Sequence, residues 1–271
     1  MLRCLSLCMA LTMVLVCLGQ SGLDSADAAR SLFAGQNVNN SSHYPVVLEL
    51  FTSEGCSSCP PADALLKQMD DSGQFAGTEI IAIEEHVDYW NHQGWTDPFS
   101  SSDWTRRQER YEQAFRRDGP YTPQLVVSGR SEMVGSDEGR IRKAIADAAQ
   151  TPALALDIDH VNLAKKTAEL SIRIPPTGTL PKSAQLWLAV TERGLASDVQ
   201  RGENEGRRLS HAAVLRSLNR ISAKSLADGT MLTARTSVDT HWKLENLRFV
   251  VFLQDSASLS ILGAAAASAP R

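Results

Sequence analysis

The sequence predicts an α/β domain followed by an all-β domain, and three observations carry that prediction. An apolar run at residues 46–51 leads into Cys56-Ser57-Ser58-Cys59, and a helix-type run at 62–69 follows at once. Up to residue 149, strand-like and helix-like segments alternate, as in a sheet covered by helices. From residue 153 the helical period disappears and strand-like runs follow one another between turn clusters, which reads as an antiparallel β-sandwich.

The N-terminus reads as a targeting signal. Arg3 supplies a positive start, residues 5–18 are apolar, and Ala26-Asp27-Ala28 offers a small-x-small cleavage site. Residues 1–29 are therefore assigned to a signal peptide and 30–44 to a linker, with a periplasmic or secreted location. The apolar stretch is shorter than the roughly 20 residues a spanning helix needs, and no later segment qualifies. Bulky Val14-Leu15-Val16 before Cys17 argue against a lipoprotein signal. Of five cysteines, Cys4, Cys8 and Cys17 lie in the signal, which leaves Cys56 and Cys59. A pair this close cannot staple distant parts of a fold; in an oxidising compartment it can cycle or bind a ligand. The count excludes a Cys4 zinc site. A net charge of −4 with interspersed signs gives no reason to expect a nucleic-acid partner.

Each element has its own signal. Residues 46–51 read as a buried strand. Pro60 and Pro61 are tolerable only in a first helical turn, so a helix begins near Cys59, with Leu65, Leu66 and Met69 as its apolar face. Residues 79–87 form a second strand around Ile80, Ile81 and Ile83. Ser100 and Asp103 form a capping-box-like start to a helix that aligns Trp104, Tyr111 and Phe115 and ends at Gly119-Pro120. Arg106, Arg107, Arg110, Arg116 and Arg117 are expected on its solvated face. Gln124-Leu125-Val126-Val127 and residues 131–134 flank Ser128-Gly129-Arg130 as a hairpin. Ser136-Asp137-Glu138 caps a last helix with Ile141 and Ile145 inward, and Thr151-Pro152 ends the first domain (45–150). In the second domain (151–263) strands are expected at 154–160, 168–174, 185–191 and 249–254. Residues 211–218 are ambiguous, and 264–271 form a frayed tail.

The order strand, C-x-x-C, helix, strand, helix, Thr-Pro, hairpin, helix resembles thioredoxin across residues 45–149, and Pro123 matches the cis-proline that faces the dithiol in that family. The resemblance implies a thioredoxin-like domain and disulfide exchange with protein or peptide thiols. Two serines between the cysteines depart from thioredoxin's Cys-Gly-Pro-Cys. The mature chain as a whole resembles the domain of unknown function 1223 family. Residues 49–63 (Glu-Leu-Phe-Thr-Ser-Glu-Gly-Cys-Ser-Ser-Cys-Pro-Pro-Ala-Asp) carry that likeness, with His86-Val87-Asp88-Tyr89-Trp90 and residues 94–99. Arg107-Gln108, residues 121–124, Arg201-Gly202-Glu203-Asn204 and Leu209-Ser210-His211 carry the rest. The second domain is read as immunoglobulin-like.

In the inferred fold Cys56 is the nucleophile, exposed and partly thiolate with a pKa of about 3.5–7.5, and the more buried Cys59 resolves the mixed disulfide. Glu54 opposes the thiolate. His86 and Asp88 sit at the edge of the sheet where open α/β sheets place ligands. His86 either donates protons to the dithiol, completes a Cys56–Cys59–His86 copper site, or is bonded to Asp88 or backbone. Trp90 and Trp95 lie on a loop and are candidates for an aromatic lid; Trp104 reads as core. Residues 201–208 read as a solvated loop, with docking onto the first domain as the alternative, and His211 has no evident partner. Phosphate-loop, His-Glu-x-x-His and Gly-x-Ser-x-Gly motifs are absent. No cofactor is expected beyond the copper alternative. The leading expectation is a thiol–disulfide oxidoreductase, with a copper carrier and a non-catalytic adaptor as rivals.

Overall fold

A computed structural model describes residues 44–176, 180–222 and 231–270; the expected signal and nearly all of the linker lie outside them. Strand β1 (Val46–Thr52) is buried along its whole length, which is why its sequence is apolar on both faces, apart from Glu49 and Thr52, instead of alternating. It pairs in parallel with β3 (Thr78–His86) and antiparallel with β4 (Gln124–Val127). A parallel pair needs a crossover, and helix α1 (Pro60–Ser72) supplies it. Cys59 is the N-cap, and Pro60 and Pro61 fill the first turn, where a missing N–H costs no helical bond. Gly73 closes the helix at φ +65°. Leu66 and Met69 pack onto Leu48, Leu50 and Ile80. A two-residue strand, β2 (Gln74–Phe75), folds back on the start of β3.

Helix α2 (Ser102–Phe115) is capped by Ser101, whose hydroxyl accepts from the Asp103 N–H, one residue later than expected. It ends at Phe115, before Gly119-Pro120, because Arg116 turns left-handed (φ +54°). Strand β5 (Ser131–Val134) completes the hairpin with β4, and Asp137 caps helix α3 (Glu138–Ala149), which buries Ile141 and Ile145.

Beyond it, β6 (Asp157–Ala164), β7 (Thr167–Arg173) and β12 (Met231–Ser237) form a three-stranded antiparallel sheet. Strands β8 (Ala184–Glu192), β11 (Val214–Ile221), β13 (Leu247–Asp255) and β14 (Ile261–Ser268) join the strands of the first half. The resulting nine-stranded sheet runs β14-β13-β8-β11-β3-β1-β4-β5, with β2 beside β3. Leu170 and Ile172 of the small sheet pack against Leu188, Val190, Phe249 and Val251 of the large one. A separate hairpin, β9 (Ala196–Asp198) with β10 (Arg208–Ser210), carries the 199–207 loop.

The architecture is thus a mixed α/β fold with a central mixed sheet and few helices. The change of pattern near residue 151 is not a break in the sheet. Val214 pairs with Glu84, and the Glu84 N–H donates to the Ala213 carbonyl (2.9 Å). One open reading is resolved and one expectation is corrected. The ambiguous 211–218 segment contains the start of β11, the strand that joins the halves. The Ala-rich tail, expected to fray from residue 264, is most of edge strand β14, with Ala264 and Ala266 opposite Phe252 and Val250. Small side chains suit that place. At Gly263 even a Cβ would come within 2.5 Å of the Leu154 carbonyl oxygen. Among the described residues no helix is long and apolar enough to cross a membrane.

Candidate functional site at the edge of the central sheet

Register assembles the site. Thr52 at the end of β1 pairs with His86 at the end of β3, and Phe51 pairs with Gln124, the residue after Pro123. Cys56, His86 and Pro123 therefore gather at one edge of the sheet. The Thr122–Pro123 peptide is cis, and Cys56 and Cys59 are joined in a disulfide. The Ser58 hydroxyl donates to Cys56 Sγ (3.4 Å).

Cys56 is not exposed: both cysteines are fully buried, and only Ser57 and Ser58 of the motif face solvent. The cover comes from the 201–208 segment, which is not a freely solvated loop. The Asn204 amide, itself fully buried, donates to the carbonyls of Glu54 and Cys56 (2.9 Å each), and Glu203 accepts from the Ser57 N–H (3.1 Å). These are bonds to backbone just before the motif and within its first half, so the loop clamps the turn itself.

Beneath the turn lies a ring of buried charge. His211 places Nε2 2.9 Å from Glu54 Oε1 and Nδ1 2.8 Å from Glu84 Oε1. His86 places Nδ1 2.7 Å from Asp97 Oδ2, and Asp97 Oδ2 accepts from the Glu54 N–H (2.8 Å). His86 Nε2 lies 3.3 Å from Glu84 Oε1 but off the direction of a hydrogen bond, so it is a buried nitrogen without a partner. Glu84 Oε2 accepts from the Ala212 N–H (2.6 Å). Ionised carboxylates can only accept, so each bonded ring nitrogen carries the proton. Burial works against the Glu84 charge, but His211 and His86 beside it hold its pKa down to about 2. Burial likewise works against the imidazolium charges; Glu84 and Glu54 nevertheless raise His211 to about 9, and Asp97 holds His86 well above its usual range. Asp63, on α1, accepts from the Thr52 hydroxyl (2.6 Å); burial, with Glu84 nearby, pushes it up to about 7.

Other expected site residues take different places. His86 bonds to Asp97 and not to Asp88, whose carboxylate is held by Thr105 of α2 (2.6 Å). Glu54 turns its carboxylate to His211 and to the indole N–H of Trp95 (2.8 Å). Trp90 is half-buried and donates to the Thr122 hydroxyl (2.9 Å), next to Pro123. Of the copper set, the cysteines are tied in their disulfide and His86 faces Asp97 and Glu84. Arg107 is a further correction. It leaves the solvated face of α2 and is buried, with Nε donating to Glu49 (2.6 Å) and lying 3.4 Å from Glu85.

Sequence reasoning missed Glu84, Asp97, Asn204 and the role of His211. One signal was present. Glu84-Glu85-His86 puts three consecutive ionisable residues after the apolar run Ile80–Ile83 of a central strand, which is costly unless each is partnered.

Fold and site together define a mixed α/β protein with a covered disulfide at the edge of its central sheet. The chain belongs to the family described as protein of unknown function DUF1223, whose family model matches residues 47–254. Among solved structures it is similar to a structural-genomics protein of Agrobacterium tumefaciens. Identity is 27% over 83% of this chain and 95% of the other, with a TM-score of 0.64. HBP35 of Porphyromonas gingivalis, 15% identical over 83% of this chain and 75% of the other (TM-score 0.59), shares the fold. No curated protein matches the chain.

Proposed function

We propose that this is an exported thioredoxin-like protein whose Cys56–Cys59 pair exchanges disulfides with protein or peptide thiols. The observation that carries the reading is a disulfide between cysteines three residues apart, at the start of a helix and on the same sheet edge as a cis-proline. In the oxidising direction, a substrate thiolate attacks one sulfur and forms a mixed disulfide. The other cysteine leaves as a thiolate and takes a proton from solvent. A second substrate thiolate then displaces the remaining cysteine. The substrate gains a disulfide, and the protein gains two electrons and two protons. Pro123 would shape the groove in which an extended peptide lies. Access requires the Glu203–Asn204 clamp to open first.

Burial of both cysteines favours a second reading, a non-catalytic adaptor with a structural disulfide. The reduction potential separates the two. Equilibration with glutathione is expected to give a value between about −120 and −270 mV, the span of exchange catalysts, and a value below about −300 mV would establish the structural bond instead. Trapping offers a separate check: Cys59→Ser should accumulate a mixed disulfide through Cys56, and Cys56→Ser should lose exchange.

A further inference from the structure

Glu84, His86 and His211 all lie at the edge where β3 meets the second half of the chain. One oxygen or nitrogen from each falls within 4.8 Å of the other two, and all three side chains are buried. We propose that these residues form a binding site for one first-row divalent cation of the zinc type, held by Glu84 Oε1, His86 Nε2 and His211 Nδ1. Neither cysteine takes part, so the site is independent of disulfide chemistry.

Four features support it. First, the donor set is two imidazoles and a carboxylate, a combination common for zinc and for open first-row metal sites. Second, the inner nitrogens converge on one oxygen while the outer nitrogens are already occupied. His86 Nδ1 is bonded to Asp97 and His211 Nε2 to Glu54. Metal-bound histidines are oriented in this way, by a carboxylate on the far ring nitrogen. Third, His86 Nε2 is buried, faces Glu84 and has no hydrogen bond. The other three ring nitrogens of this pair of histidines are all hydrogen-bonded, so His86 Nε2 is the one donor position of the cluster left open to a ligand.

The fourth feature is spacing. With bonds of about 2.05 Å, tetrahedral ligand atoms lie about 3.3 Å apart. His86 Nε2 and Glu84 Oε1 are 3.3 Å apart already, whereas His211 Nδ1 and Glu84 Oε1, at 2.8 Å, must open slightly. A dication would then occupy the place to which ring protons now point. Glu84 Oε2 stays with the Ala212 N–H, so the carboxylate binds through one oxygen.

Phe99 supplies a way in. Its ring lies edge-on to both imidazoles (centroids 5.3 and 5.4 Å) and also lines a surface cleft with Trp104, Leu215 and Arg216. The Phe99 ring therefore borders both the cleft and the two histidines. A smaller residue there should speed metal entry and loss.

The test is Co2+ titration of the chelator-treated full mature protein at neutral pH, followed by visible absorption and proton NMR. One equivalent should bind with d–d absorption. Two hyperfine-shifted exchangeable N–H signals should appear, from His86 Nδ1 and His211 Nε2. His86→Gln and His211→Gln should each weaken binding at least about 100-fold, and Asp97→Asn about 10–100-fold. A Cys56→Ser/Cys59→Ser double variant should bind Co2+ like the parent. Absence of stoichiometric binding by the wild-type protein, or binding without the paired N–H signals, would overturn the site. Both readouts are made on the wild-type protein, so they hold even where a variant fails to fold.

Discussion

Glu84 and Glu85 are neighbours on one strand, yet they end in two different kinds of charge cluster on opposite faces of the central sheet. Strand geometry sends successive side chains to opposite sides. Glu85 joins Glu49, Arg107 and Tyr111, where the cation is a guanidinium that stays charged at any accessible pH. Arg107 also reaches Gln254 of β13 (3.4 Å) and lies over the Phe252 ring, so this cluster welds α2 to both halves of the chain. Glu84 joins Glu54, His86, Asp97 and His211, where every member can gain or lose a proton. The Arg side is built to be permanent. The His side is built from groups whose charge a proton or a metal ion can change, and it lies against the turn that carries the disulfide.

Arg107→Met should produce the largest effect, because it leaves the buried Glu49 carboxylate without its cation. We expect a loss of about 3–5 kcal/mol in urea unfolding. A loss under about 1 kcal/mol would break the comparison by showing that Glu49 takes up a proton instead. Next in size is Asn204→Ala. It removes two hydrogen bonds to backbone flanking Cys56 and should cost about 1–3 kcal/mol. It should also speed reduction of the disulfide by dithiothreitol. An unchanged reduction rate would mean that the loop does not control access.

The last test reads a pH slope on the titratable side. The carboxyl of Asp63 is raised to about 7, first by burial and then by Glu84, with His211 and His86 opposing. Between about pH 4 and pH 7 the folded chain holds this proton and the unfolded chain has released it. Its contribution to stability therefore falls as pH rises across that window, by at most about 1.4 kcal/mol per pH unit. Asp63→Asn keeps an acceptor for Thr52 and should flatten that slope. A pH–stability curve unchanged by the substitution would show that Asp63 is ionised throughout.

Much of the scaffold was legible because its signals are local. The run at 46–51, the prolines after Cys59 and the acidic cap at Asp137 each act within one turn or strand, and each element lies within a few residues of its expected place. The pair Cys56 and Cys59 was legible for the same reason. The environment of that pair was not. Asn204 reaches the Cys56 carbonyl across 148 residues and His211 reaches Glu54 across 157, and no periodicity records such contacts. Arg107 misled for a related reason: on a helix with several arginines, composition cannot tell which one meets a buried Glu49.

By itself the sequence determined the order of elements, the adjacency of the two cysteines and the start of α1, since these follow from backbone propensity and neighbouring side chains. Only the tertiary structure decided that β11 joins β3. That joining also decided that the disulfide is covered and that Glu84 faces two imidazoles while Glu85 faces a guanidinium. Burial of charge depends on which distant partner arrives to compensate it, and the arrival of β11 beside β3 places His211 there.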